Sequence, residues 1–384
     1  MATIDYQKER CASMMKLPEK IRRVLERTVR EMMMEEDVYG LALFGSWSRG
    51  DATAASDVDL LVLTQSGIPD EYVERIVANG LMIDLNFIPG KWIQGPIPPQ
   101  LDQKLVEAQI FYDRDWTLTN VKLLMAKSYG SPERVEIRTN AHIIEADIYL
   151  SRATSALSKG DPLSAWLFAA TAMENILRIP LEIVLEPFSN SHFIEKSEVA
   201  TEKLGLKKTF ADYMELARLN GVNKTIAEEK LKLFKAIWDE MNFSVRQDPQ
   251  TVEKAPFKVK KSLKYYFNSA FMQGTVLRAT SIIGAKNFAE AAHYLDSIFL
   301  NMLENYAWLK SAKEQQPIDY TTLMRSMEIL EKTNPKNYQN MAKFLGLTIA
   351  DKAKAAEMVE KAKRNILKLR RERKRLIKTH ISKS

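Results

Sequence analysis

A chain of 384 residues with 46% hydrophobic and 27% charged residues is long enough for two domains and too apolar for wholesale disorder. Its single cysteine, Cys11, excludes an intrachain disulfide, and four scattered histidines (His142, His192, His293 and His380) exclude a Cys/His zinc site. The net charge of +7 is local: residues 351–384 hold 13 Lys and Arg against 4 Asp and Glu, a surplus of 9, leaving 7 − 9 = −2 for the rest. The first ten residues mix acids with bases and lead into no apolar run, so no signal peptide is expected. The longest apolar-rich segment, Leu163 to Leu185, contains Glu174, Arg178 and Glu182, which argues for buried helix rather than a membrane span. The expected compartment is the cytoplasm.

In chain order, Ile21, Leu25, Val29 and Met32 recur at helical spacing behind Pro18, predicting an amphipathic helix to about Glu36. Leu41 to Phe44 and Val58 to Leu63 read as buried strands on either side of a Gly45-Ser46 turn and a polar loop. Glu71 to Ala78 suits a helix, and Leu81 to Ile88 reads as a third strand interrupted only by Asp84 and Asn86. Leu101 to Ala108 is expected to be helical, and Ile110 to Tyr112 to close the sheet as an edge strand. Beyond Trp116 nearly everything has helical period, and Pro180 is expected to kink or divide its helix.

The informative stretch is Phe44-Gly45-Ser46-Trp47-Ser48-Arg49-Gly50, then Ser56-Asp57-Val58-Asp59-Leu60, then Ile83-Asp84-Leu85. Strand side chains alternate, so Asp57 and Asp59 share a face, and two carboxylates so close call for a cation. Hard oxygen donors in that arrangement suit magnesium, and Asp84 on a neighbouring strand could bridge to a second ion. Gly45 lets phosphate oxygens approach the backbone, Ser46 adds a hydroxyl and an N–H, and Arg49 is placed to pair with phosphate. Ser56 either contacts phosphate or only closes the turn.

These residues resemble the DNA polymerase beta-like nucleotidyltransferases, in particular the minimal and antibiotic-modifying branch. An apolar strand ends in Gly45-Ser46, ten residues separate Ser46 from Asp57, the Asp57-x-Asp59 pair follows, and a third acid, Asp84, lies on a later strand. The likeness covers roughly Val38 to Asp115, including Arg49-Gly50 and Ile110 to Asp115. It implies transfer of a nucleoside monophosphate from a nucleoside triphosphate, with ATP as the expected donor, to a hydroxyl of an acceptor, releasing pyrophosphate. It implies Asp57, Asp59 and Asp84 as catalytic and as ligands to two magnesium ions, with Gly45, Ser46, Arg49 and Ser56 on the nucleotide. The helical remainder resembles the domains of kanamycin nucleotidyltransferase and HEPN type that follow such catalytic domains. That likeness offers Glu145 or Asp147 as general base and allows a homodimer. The ribonuclease signature of some HEPN domains is missing, since only three residues separate Arg138 from His142.

In the tail, Val359, Ala362, Ile366, Leu369 and Leu376 form a stripe broken by Arg373 and surrounded by positive charge. Packing, a partner helix and RNA phosphates all remain open for it. The expectation is an α+β chain: a small mixed-sheet nucleotidyltransferase domain over residues 1–128, a helical acceptor domain over 129–350, and a basic amphipathic helix over 351–384. The acceptor is expected to be a small hydroxylated molecule. An RNA or protein acceptor, or a nucleotide-binding regulatory or antitoxin-like module without turnover, are the alternatives.

Overall fold

The computed structural model describes residues 17–65, 67–347 and 352–381. The readings made for the first ten residues, for Cys11 and for a boundary at 350/351 lie outside them. In chain order the regular elements are α1 (Glu19–Met33), β1 (Val38–Phe44), a one-turn α2 (Ser46–Arg49), β2 (Val58–Thr64), β3 (Tyr72–Ala78), β4 (Leu81–Pro89), α3 (Asp102–Glu107), β5 (Gln109–Asp113) and α4 (Thr117–Ser128). Helices follow: α5 (Pro132–Ser158), α6 (Pro162–Ile183), α7 (Phe193–Lys203), α8 (Lys207–Leu216), α9 (Lys224–Arg246), α10 (Pro249–Lys254), α11 (Phe257–Tyr266), α12 (Ser269–Gly284), α13 (Phe288–Glu314), α14 (Leu323–Leu330), α15 (Pro335–Phe344) and α16 (Lys352–Ile381). The chain is therefore α+β, with its strands confined to the N-terminal part. No helix among the described residues is long and apolar enough to cross a membrane.

Two compact units divide the chain. One comprises the residues up to Tyr129 together with Pro256–Gly274, and the other Gly130–Ala255 and the residues from Thr275 onward. The first is built on a five-stranded sheet of order β3-β4-β2-β1-β5, parallel only between β2 and β4. Strand period separates its two apolar faces. Leu41, Leu43, Val58, Leu60, Val62, Ile83 and Leu85 face α1 through Ile21, Val24, Leu25 and Val29. Ala42, Phe44, Leu61, Leu63 and Ile88 face the other way, onto Leu101, Leu105, Leu118, Val121 and Met125. Burial on both faces is why the strands read as continuous apolar runs, each buried Leu or Ile contributing about 1.5–3 kcal/mol.

The helix expected over Glu71 to Ala78 is instead strand β3, paired antiparallel with β4. Asn79 and Gly80 both have positive φ (50° and 75°), the backbone of a two-residue hairpin turn whose twist matches the flanking strands. Tyr72, Val73, Ile76 and Val77 suit a pleated surface better than a helix, and cross-strand pairing settles the matter. Helix α11 packs on this strand: Lys258 reaches Asp70 at 3.0 Å, Lys261 reaches Glu74 at 2.8 Å, and Phe257 meets the Tyr72 ring edge-on.

In the second unit, α5 and α6 form a hairpin whose starts are capped by Ser131 and Asp161, each followed by proline at the first helical position. Pro180 does not divide α6. It forfeits one hydrogen bond, but Ile176, Leu177, Ile179, Leu181 and Ile183 are all buried, and their packing holds the helix through it. The basic helix α16 lies against this hairpin, with Ile366, Leu369 and Ile377 sharing a core with Val135, Ile143, Ile176 and Ile179. Arg373, which breaks the apolar stripe, is buried and bonds the Glu136 carbonyl and Asn140 Oδ1.

Candidate active site

The chemistry-bearing residues gather at one end of the first unit, where β1 leaves the sheet and β2 enters it. At the close of β1, Gly45 adopts φ 75°, ψ −158°, a conformation that only glycine populates readily. The chain turns there into α2 and leaves it through Gly50, also left-handed at φ 86°. A Cβ on Gly45 would stand 2.6 Å from Asp59 Oδ2, so the turn lies directly on that carboxylate.

Asp57 immediately precedes β2, and Asp59 is its second residue, paired with Phe44 on one side and with Asp84 of β4 on the other. Asp59 and Asp84 point to the same face as Leu61 and Ile88, because the apolar residues between them face α1. Asp57 and Asp84 are brought together by a residue that the sequence reading did not single out. Arg75 on β3 pairs directly across from Asp84. Its Nε donates to Asp84 Oδ1 at 2.6 Å, and its Nη2 donates to both Asp84 Oδ2 and Asp57 Oδ2, each at 2.6 Å. Tyr265 on α11 donates its hydroxyl to Asp84 Oδ2 at 3.0 Å. Reading Glu71 to Ala78 as helix hid Arg75; the Asn79-Gly80 hairpin turn was the signal that could have found it.

Electrostatics there follow from burial. The Asp84 side chain is 8% exposed and that of Arg75 5%. Burial pushes the Asp84 carboxyl up, against the pull of Arg75 and the Tyr265 hydroxyl. For Arg75, burial alone would lower the pKa, but hydrogen bonding to Asp84 and the negative charges around it carry the net direction upward. Tyr265 is pushed well up, first by burial and then by Asp84. Arg75 therefore stays charged, and removing one partner of such a buried pair costs about 3–5 kcal/mol.

Behind the glycine turn stands Glu107, at the end of α3, which the sequence reading also passed over. Its Oε2 accepts from the Gly45 amide at 3.1 Å and from Arg49 Nη1 at 2.8 Å, while Gln103 donates to Oε1 at 2.7 Å. Ser48 Oγ bonds the Glu107 carbonyl. Arg49 also meets Asp51 at 3.2 Å; burial lowers its pKa, Glu107 and Asp51 raise it, and the net direction is up. Arg49 thus braces the turn from behind. Ser56 Oγ accepts from the Thr53 amide at 2.9 Å and closes the polar loop. Ser46 is half-buried as the first residue of α2.

Magnesium ligation can be tested against this donor set. Asp57, Asp59 and Asp84 supply hard carboxylate oxygens, and the guanidinium shared by two of them shows that the corner is built around positive charge. Among the described residues, however, no three His, Cys, Asp or Glu side chains are grouped to hold a metal. Asp84 is already bound at both oxygens, so Asp57 and Asp59 are the carboxylates that would hold a metal.

The other candidates lie in the second unit. Glu145 is exposed on α5, and Asp147 pairs with Arg370 of α16. Arg138 and His142 both bond a buried Glu182, Arg138 Nε at 2.5 Å and His142 Nε2 at 3.4 Å, which makes them parts of a structural ion cluster. His192 sits exposed at the start of α7 beside Glu195.

No curated protein matches the chain. Among solved structures, a nucleotidyltransferase-like protein from Exiguobacterium sibiricum 255-15 is 12% identical over 84% of this chain and 89% of its own, with a TM-score of 0.30, too low to establish a shared fold. The nucleotidyltransferase domain family model matches residues 21–97, the span from α1 through the glycine turn and all three aspartates to just beyond β4. Residues 21–97 thus match a nucleotidyltransferase domain, which supports nucleotidyl transfer as the general chemistry of this part of the chain.

Proposed function

We propose that the chain transfers a nucleoside monophosphate from a nucleoside triphosphate, ATP being the expected donor, to a hydroxyl of a small acceptor. The acceptor oxygen bonds the α-phosphorus and its proton passes to solvent, the bond from that phosphorus to the bridging oxygen of the β-phosphate breaks, and pyrophosphate leaves with the electron pair. The observation that carries the reading is the closeness of Asp59 to the Gly45 turn, its Oδ2 lying 2.6 Å from where a Gly45 Cβ would stand. Glu107 and Arg49 hold that turn in shape before substrate arrives. Asp57 and Asp59 would hold magnesium, which supplies charge neutralisation to the triphosphate.

A second reading, a nucleotide-binding module without turnover, has one observation in its favour: Asp84 is neutralised by Arg75. Incubating the protein with labelled nucleoside triphosphates, magnesium and a panel of hydroxylated acceptors separates the two. Pyrophosphate release that Asp57→Ala abolishes supports transfer. Tight nucleotide binding with no release from any acceptor, RNA ends and protein hydroxyls included, supports the module.

A further inference from the structure

We infer that the solvent face of α16 is a docking surface for the sugar–phosphate backbone of a nucleic acid, bound without regard to sequence. The surface belongs to the second unit and does not depend on the nucleotide site of the first.

Two faces of this helix differ in what they do. One serves the fold: Val359, Ala362, Ile366, Leu369 and Ile377 are buried, the last three in the core shared with α5 and α6. The other carries Arg364, Lys368, Arg371, Arg375 and Lys378, which recur at alternating spacings of four and three residues and so lie in one row along the helix. All five are exposed, and among the described residues none has an acidic partner or donates a side-chain hydrogen bond. Acids do stand nearby, but other side chains hold them: Asp147 pairs with Arg370, Glu136 with Arg373 and Lys374, Glu215 with Lys361, and Asp212 accepts from Asn365. Toward the start of the helix the row continues as Glu360 and Glu357, each paired with a lysine of its own turn. The unpaired positive charge is therefore confined to the second half of the helix. Like charges three and four residues apart repel and weaken a helix, so the row works against the fold rather than for it.

The dimensions suit a strand of phosphates. The step from Arg364 to Lys378, 378 − 364 = 14 residues, rises about 21 Å. One strand of a nucleic-acid duplex presents roughly six phosphates over that length. Two other anionic partners fit less well. A helix that lies on a membrane lays an apolar face into the lipid beside its basic one, and the apolar face of α16 is already buried. A protein interface needs apolar anchors at its centre, and among the described residues of α16 Leu367 is the one large apolar side chain left exposed, at 38%. Because α16 holds no Phe, Tyr or Trp to stack on a base, phosphate contacts remain, and these carry no sequence preference.

The test is fluorescence anisotropy of a labelled mixed-sequence RNA strand of about 20 nucleotides, and of a DNA duplex of the same length, titrated with the full chain across about 50–200 mM salt. With the five side chains each neutralising a phosphate, log affinity is expected to fall with log salt at a slope of about −3.5 on the single strand and about −4.5 on the duplex. The tighter of the two names the source of the backbone. Arg371→Gln combined with Arg375→Gln is expected to lower affinity about tenfold or more near 0.1 M salt and to flatten the single-strand slope by about 1.4. Lys232→Gln combined with Lys235→Gln, an equal loss of exposed charge on α9, is expected to change affinity by less than about twofold. Equal losses in the two double variants, or no binding to either nucleic acid at about 50 mM salt, overturn the proposal. So does binding as tight to polyglutamate, or to vesicles of phosphatidylcholine and phosphatidylserine, which would give the row to an acidic protein or to a membrane.

Discussion

Replacing Gly45 by alanine should damage the first unit twice over, and the comparison with Gly50 separates the two effects. At φ 75° and ψ −158°, Gly45 occupies a region closed to residues with a side chain, a strain of about 1–3 kcal/mol. The added methyl would also stand 2.6 Å from Asp59 Oδ2 and 3.3 Å from its Cγ, well inside contact distance, so Asp59 must move. Gly50, at φ 86° and ψ 15°, lies in the ordinary left-handed region with no atom within 4 Å of an added Cβ. Alanine there should cost only about 1–2 kcal/mol. Urea denaturation followed by tryptophan fluorescence should therefore show Gly45→Ala losing roughly 3 kcal/mol or more, about twice the loss of Gly50→Ala. Binding of a nucleotide analogue with Mn2+ should fall at least about tenfold in Gly45→Ala and stay within about twofold in Gly50→Ala, because only the first displaces Asp59, a carboxylate proposed to hold the ion. Equal losses of stability, or undiminished nucleotide binding in Gly45→Ala, would refute the contact between this turn and Asp59.

Two further outcomes concern the helical unit. His293 is buried, its ring stacked on Phe193 with centroids 4.5 Å apart, and burial pushes its pKa down. The unfolded chain therefore takes up a proton near pH 6.5 that folded His293 refuses, so stability should fall as pH drops through the ordinary histidine range. His142, also lowered by burial, adds to that slope. His293→Gln should lessen it by up to about 1.4 kcal/mol per pH unit in denaturation series from pH 7.5 to 5, and an unchanged slope would show that this imidazole charges freely in the fold. In α16, Leu369 is 1% exposed within the shared core, so Leu369→Ala should cost about 2–5 kcal/mol in the thermal or urea transition, against less than about 0.5 for exposed Lys368→Ala. A loss below 1 kcal/mol would mean that this helix does not depend on α5 and α6.

Much of the first unit was readable because its signals are local. Strands β1, β2 and β4 announce themselves as unbroken apolar runs, since each is buried on two faces, and a glycine between two such runs marks a turn whatever surrounds it. The period of two in a strand predicts Asp57 and Asp59 on one face, but β2 begins at Val58, so strand alternation covers Asp59 and not Asp57. Strand β3 was misread because seven residues carry little periodic information, and the pairing with β4 that decides their state is a tertiary contact.

The partners of those acids are another matter. Arg75 meets Asp84 from nine residues away and Asp57 from eighteen, and the Tyr265 hydroxyl comes from 181 residues along the chain. Residues 256–274, which read only as more helix, belong with the sheet. By itself the sequence determined where carboxylates would stand, because alternation and turn chemistry act between near neighbours. Which cation neutralises them was decided by strand order and by a helix returning from far along the chain, and no local pattern encodes either.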